Sequence, residues 1–125
     1  MKFTPKNPPR EFIVSGVTLK DCARIELEPG ELVTFVTESG AEYDLARKSW
    51  GFYATPSLNG RLQSFNLRGV LVKSHKNGKY FVLLVERGKE DDFHEYMERD
   101  QMVVVCWMDS DDVLRKLDES VNKIV

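Results

Sequence analysis

The sequence predicts an α+β fold: mostly antiparallel β-sheet or a partly open barrel built from hairpins, with a strand-helix-strand unit and a C-terminal helix. Three observations lead there. Short alternating or β-branched segments recur between turn signals. Asn77-Gly78 separates two apolar runs, the strongest short-range hairpin signal in the chain. Helical periodicity is confined to the last third. With 125 residues and no long polar bias, the chain suits a flexible segment over residues 1–10 and a single body over residues 11–125.

The first ten residues hold Pro5, Pro8 and Pro9, which disfavour regular structure before a short strand at Glu11–Val14. From Cys22 onward, Ala23, Ile25 and Leu27 alternate with Arg24 and Glu26, as a strand with one buried face requires. Glu28-Pro29-Gly30-Glu31 then has the proline and glycine of a type II turn. The strand Leu32–Thr37, the turn Glu38-Ser39-Gly40 and the alternation of Ala41, Tyr43 and Leu45 complete an expected three-strand meander. Gly69–Ser74 and Lys79–Glu86 flank Asn77-Gly78 as a hairpin. Lys89–Arg99 places Phe93, Tyr96 and Met97 at helical spacing before the apolar strand Met102–Trp107. The weak alternation of its flanking strands predicts central positions covered on both faces. Asp109 or Ser110 caps a last helix whose stripe of Val113 or Leu114, Leu117, Val121 and Ile124 is expected to pack on the sheet.

Charge is unevenly distributed. Residues 1–45 carry five basic and eight acidic groups, residues 86–125 carry six and twelve, and residues 46–85 carry seven basic groups and no acid. A positive middle in an acidic protein favours a small anionic ligand and disfavours nucleic acid, whose long polyanion the flanks would repel. Lys73, Lys76 and Lys79 bracket the hairpin turn, where lysines keep an edge soluble. Arg47, Lys48, Arg61 and Arg68 instead surround a segment with three aromatics in four positions, Trp50, Phe52 and Tyr53, followed by Asn59. Aromatic faces stack on sugars or bases, while an amide and guanidinium groups bind hydroxyl or phosphate oxygens. The candidate ligand-binding set is therefore Arg47, Lys48, Trp50, Tyr53, Asn59, Arg61 and Arg68. The competing reading closes the core with Trp50 and Phe52 and leaves Pro56 and Gly60 to shape turns.

No complete catalytic motif is present, and no metal or cofactor is expected. His75 and His94 are the two histidines, and neither falls in a zinc motif. The glycines lack the spacing of a phosphate-binding loop. The meander is similar to that of cupin-type barrels but contains no histidine, so a metal site of that kind is not expected. Cys22 and Cys106 are read as buried free thiols. The apolar runs are too short to span a bilayer, and Met1–Arg10 lacks the apolar stretch of a secretory signal. Together these predict a cytoplasmic protein without a membrane partner.

The strings from Arg47 to Leu62 and from Val104 to Trp107 resemble those of small uncharacterised bacterial proteins associated with surface-polysaccharide biosynthesis. The resemblance implies a sugar-linked role and assigns no reaction or residue. Three functions are carried forward. The first is a domain binding a small anionic ligand such as a nucleotide-sugar or glycan precursor. The second is a small enzyme acting on such a ligand, with Tyr53, His75 or a carboxylate from the margins of the segment, Asp44 or Glu86, moving protons. The third is an adaptor that binds a protein partner or a second copy of itself.

Overall fold

Opposite charges face each other along the first hairpin of the computed structural model, which describes residues 1–124 except the side chain of Ile124. Strands β1 (Lys2–Val14) and β2 (Val17–Glu26) pair antiparallel, with Lys2 opposite Glu26, Arg10 opposite Asp21 and Glu11 opposite Lys20. Such cross-strand pairs favour this register over its neighbours. Ser15 and Gly16, both at positive φ, form the two-residue turn whose twist matches that of the flanking strands.

Regular structure therefore begins at Lys2 and not after Arg10, correcting the irregular start expected from the prolines. The register shifts between Pro5 and Arg10, so Pro8 and Pro9 sit where the ladder asks them for no amide donor. Lys6 bonds Asp21 across the ribbon, and Arg10 approaches the same carboxylate at 3.6 Å.

The other strands are β3 (Leu32–Val36), β4 (Glu42–Lys48), β5 (Gly51–Ala54), β6 (Leu67–Ser74), β7 (Tyr80–Glu86) and β8 (Met102–Trp107). The helices are α1 (Arg61–Ser64), α2 (Glu90–Arg99) and α3 (Asp111–Ile124). Among the described residues the strands form three antiparallel sheets, ordered β1-β2, β3-β4-β5 and β7-β6-β8, that do not close into a barrel. The α+β class is as expected, but the meander is not. Strand β2 pairs with β1, and β3 and β4 continue into β5. The expected turn forms, with Gly30 at φ +90° and the Glu31 amide donating to the Glu28 carbonyl at 3.0 Å. Turns of type I and II splay flanking strands, so this one separates two sheets.

Two compact units can be distinguished in this small domain. One comprises Met1–Val33 and Asp44–Ala54, the other Thr34–Tyr43 and the described part of Thr55–Val125. Val125, at the end of the expected body, and the Ile124 side chain of the expected stripe lie outside the described residues.

In the second unit the hairpin at Asn77-Gly78 forms as expected, with Gly78 at φ +69° and the Lys79 amide donating to Asn77 Oδ1 at 2.9 Å. Strand β6 is central and pairs with both β7 and β8. The unit β7-α2-β8 thus straddles β6, and the two strands expected at the centre are edges. Helix α2 covers one face, burying Phe93 and Met97 against Val70, Val72 and Val85. The other face is covered at its Leu67 end, where Leu62 of α1 packs with Leu67 and Ala41. Gly69 belongs to this close packing, since a Cβ there would lie 2.9 Å from Leu58 Cδ2. Past that end the face is open, and Tyr80, Val82, Leu84 and Val103 are exposed. The sequence missed this because apolar runs suit an open edge strand as well as a buried one.

Helix α3 differs from expectation in its packing. The principal helix-sheet contacts come from α1 on β6 and α2 on β7 and β8, and Leu117 and Val121 remain exposed. Periodicity shows that an apolar stripe exists, not that its own chain covers it. The cysteines also depart from expectation, since Cys22 is exposed and Cys106 only half-buried.

One carboxylate anchors the tip of the β3-β4 hairpin in this unit. Glu86, at the end of β7, accepts hydrogen bonds from Thr37 Oγ1 at 2.5 Å and Ser39 Oγ at 2.7 Å, and pairs with Lys89 Nζ at 2.9 Å. Those bonds, Thr37 and Ser39 first and Lys89 next, lower its pKa from 4.5 to about 2. Since the folded carboxyl binds its proton less tightly than the unfolded one, the stabilisation is complete above pH 4.5 and is lost as pH falls through 2. In Glu86→Gln this acid-sensitive contribution should disappear. NMR titration of the Glu86 carboxyl carbon, with the Thr37 and Ser39 amides as reporters, checks both statements; a midpoint near 4.5 in the native protein would refute them.

Candidate functional site

Four of the seven sequence-derived residues, Arg47, Lys48, Trp50 and Tyr53, lie in the first unit, and Asn59, Arg61 and Arg68 lie in the second. Strands β4 and β5 form the irregular hairpin expected of this segment, pairing Arg47 with Phe52 and Ala46 with Tyr53. Alternation along a strand puts Lys48 and Tyr53 on one face and Arg47 and Phe52 on the other. Lys48 Nζ lies 5.8 Å from the Tyr53 ring centroid. Arg47 reinforces its own turn, donating from Nε to the Lys48 carbonyl and from Nη1 to the Leu27 carbonyl. Trp50 is 71% exposed and Phe52 60%, so the reading that these rings close the core is corrected.

The three residues of the second unit are held by other groups. Asn59 Nδ2 donates to Asp111 Oδ1 at 2.7 Å, tying the loop before α1 to the first turn of α3. The Arg61 guanidinium lies 4.8 Å from the centre of the Phe65 ring. Arg68 has the richest surroundings. Its Nε donates to Asp109 Oδ2 at 2.6 Å, its Nη1 reaches Glu90 Oε2 at 3.5 Å, and its Cζ stands 4.0 Å from the centre of the Trp107 ring. The hydrogen bond that Arg68 donates to Asp109 raises the guanidinium pKa still further, so it is charged at every accessible pH.

Around Arg68 the second unit forms a polar cleft of about 220 Å³, lined by Gln63, Arg68, Arg87, Glu90 and Asp109. Five different places in the chain supply these side chains: α1, β6, the β7-α2 connection, the start of α2 and the β8-α3 connection. Gln63 Nε2 is fixed on the Asp109 carbonyl at 2.9 Å. Glu90 is held below the ordinary carboxylate range by its own backbone amide and that of Gly88, then by Arg68. Asp109 and Glu90 thus converge on Arg68, whereas Arg87, exposed and anchored by its main-chain amide to the Asn66 carbonyl, forms no ion pair among the described residues.

Chemically, the cleft presents one guanidinium with free donors, a second one held rigid by carboxylates, and carboxylate oxygens able to accept hydrogen bonds from hydroxyl groups. Of its lining residues the sequence singled out Arg68 alone. Gln63, Arg87, Glu90 and Asp109 are common polar residues with no spacing pattern, and only folding brings them together. Tyr53 and His75, the proton-transfer candidates, lie in different units. Among the described residues no cluster of three or more His, Cys, Asp or Glu is arranged to hold a metal ion, and no helix is long and apolar enough to cross a membrane.

Comparison with family models, curated proteins and solved structures returned no match for this chain.

Proposed function

We propose that the protein binds a small anion that also carries hydroxyl groups, of the sugar-phosphate class, in the cleft around Arg68 and Arg87. The observation that carries this reading is the unpaired Arg87 guanidinium beside a second arginine held by Asp109 and Glu90. A phosphate or carboxylate accepts two parallel hydrogen bonds from such a guanidinium. Hydroxyl groups on the same ligand would donate to the outer oxygens of Glu90 and Asp109. A volume of about 220 Å³ falls below the usual range for drug-sized ligands. One sugar phosphate suits it, whereas a nucleotide-sugar would leave its base and second phosphate in solvent. This narrows the nucleotide-sugar expectation to the sugar-phosphate end of such a molecule.

The test is a titration with glucose 1-phosphate, glucose and inorganic phosphate, followed by amide chemical shifts. The sugar phosphate should move Arg87, Gly88 and Glu90 at millimolar concentration, and the neutral sugar should not. Because the Arg87 side chain is exposed and anchors no other group, Arg87→Ala should fold normally and weaken binding about tenfold, the effect of one charged hydrogen-bonding group. Shifts confined to Trp50–Tyr53, or none at all, would refute the assignment.

A further inference from the structure

Folding redistributes the charge that the sequence concentrates in residues 46–85. Arg68 comes from that basic middle, whereas Glu90 and Asp109, which line the same cleft, come from the acidic last third. Both carboxylates converge on the one guanidinium. Asp109 accepts from Nε at 2.6 Å and from Nη2 at 3.4 Å, and Glu90 accepts from Nη1 at 3.5 Å. The Trp107 ring covers a face of the guanidinium at 4.0 Å. Arg68 therefore cannot turn toward a ligand without abandoning both carboxylates and the ring. Glu90 is fixed in its turn, since Oε1 accepts from the Gly88 amide at 2.7 Å.

The lining is neutral in sum but polarised. Arg68, Glu90 and Asp109 together carry one negative charge in excess, being two carboxylates against one guanidinium, and Arg87 supplies the compensating positive charge. A plain sugar phosphate matches Arg87 and meets the excess on the triad with like charge. A ligand with an ammonium group as well as a phosphate matches both. The carboxylates remain reachable, at 32% exposure for Glu90 and 15% for Asp109. Each ionised carboxyl group has about four lone-pair sites, so the bonds to Arg68 leave acceptors for a ligand.

From this polarity we infer that the cleft selects amino-sugar phosphates, with the phosphate on Arg87 and the ammonium group on the carboxylates of Glu90 and Asp109. The inference rests on the sugar-phosphate reading of the cleft and adds the group that distinguishes one such sugar from another. An ammonium group donates three hydrogen bonds and carries charge, where a hydroxyl donates one. Acetylation of the nitrogen removes that charge, so an N-acetylated sugar phosphate gains nothing from the triad.

The experiment titrates the full chain near pH 6.5, where an amino group is protonated, and follows the amide shifts of Arg87, Gly88 and Glu90. The ligands are glucosamine 1-phosphate, glucose 1-phosphate, N-acetylglucosamine 1-phosphate and L-serine, which carries both charges without a sugar. Glucosamine 1-phosphate should bind about fivefold tighter than glucose 1-phosphate, the upper end for one partly exposed ion pair. N-acetylglucosamine 1-phosphate should bind no tighter than glucose 1-phosphate, and L-serine more weakly than glucosamine 1-phosphate. In Glu90→Gln the triad becomes neutral whichever carboxylate meets the ammonium group, and the fivefold ratio should fall to about one. The new amide oxygen still accepts from Gly88, and the amide spectrum verifies the fold. Equal affinity for glucosamine and glucose 1-phosphates, with shifts at Arg87–Glu90, overturns the inference and leaves the sugar-phosphate reading intact. A preference that the N-acetylated ligand shares, or that persists unchanged in Glu90→Gln, also overturns it. L-serine binding as tightly as glucosamine 1-phosphate would overturn the sugar class. No shifts at these residues with any ligand would overturn the inference and the underlying reading together.

Discussion

Replacing Phe93 with alanine should destabilise the second unit by about 3 kcal/mol, the lower end of the range for deleting a buried phenyl ring. Phe93 is the hinge of the larger core. It is 9% exposed, packs with Val70, Val72, Val85 and Met97, and meets the Trp107 ring edge-on at 5.5 Å between centroids. Two of these neighbours, Val70 and Val72, sit on β6, a strand bonded on both sides, and cannot close inward on the vacated space without breaking that register. The cavity therefore persists, and its cost adds to the lost burial. Urea denaturation followed by Trp107 fluorescence, in a Trp50→Phe background, measures the loss. The midpoint should fall with little change in slope, since a core truncation alters stability and not the surface exposed on unfolding. A loss below about 1 kcal/mol would mean that α2 is not held by this core.

The second large effect concerns Arg68. Arg68→Ala should cost about 2 kcal/mol, because hydrogen bonds to charged groups exceed neutral ones and the orphaned carboxylate adds a penalty. The Asp109 side chain is 15% exposed, so water only partly replaces the lost guanidinium. The face of Trp107 also loses its cation. A double-mutant cycle separates these contributions. Asp109→Asn in the Arg68→Ala background should cost less than in the native background, the difference being the coupling between the two groups. Strict additivity would show that the 2.6 Å contact contributes nothing. Arg87→Ala, in contrast, should leave stability unchanged and affect ligand binding alone, which distinguishes the arginine that builds the cleft from the one that serves it.

Local chemistry made much of the architecture legible. Asn77-Gly78 marks a turn because glycine takes the positive φ that Gly78 adopts and the Asn77 side chain accepts a hydrogen bond from the Lys79 amide, and the hairpin around it formed as read. Of Phe93, Tyr96 and Met97, named by their spacing, Phe93 and Met97 enter the core and Tyr96 packs against it partly buried. The Pro29-Gly30 turn was equally readable, yet its consequence was not. Whether a turn joins two strands or parts them depends on the twist of whatever lies beyond it. In the candidate site, concentrated charge and aromaticity drew attention to Arg47–Arg68, but alternation along β4 sends Arg47 and Lys48 to opposite faces. Linear density does not measure spatial convergence.

The sequence by itself determined most of the strands after β1, the helices α2 and α3 and the turns at Pro29-Gly30 and Asn77-Gly78, since these follow from propensities and periods within a few residues. Only the tertiary structure decided that the proline-rich start is a strand, that β6 and not β7 or β8 is central, and that Gln63, Arg68, Arg87, Glu90 and Asp109 share a cleft. The physical reason is common to all three. Each depends on partners far apart in the chain, and apolar or polar character shows that a residue wants a partner without showing which one the fold supplies.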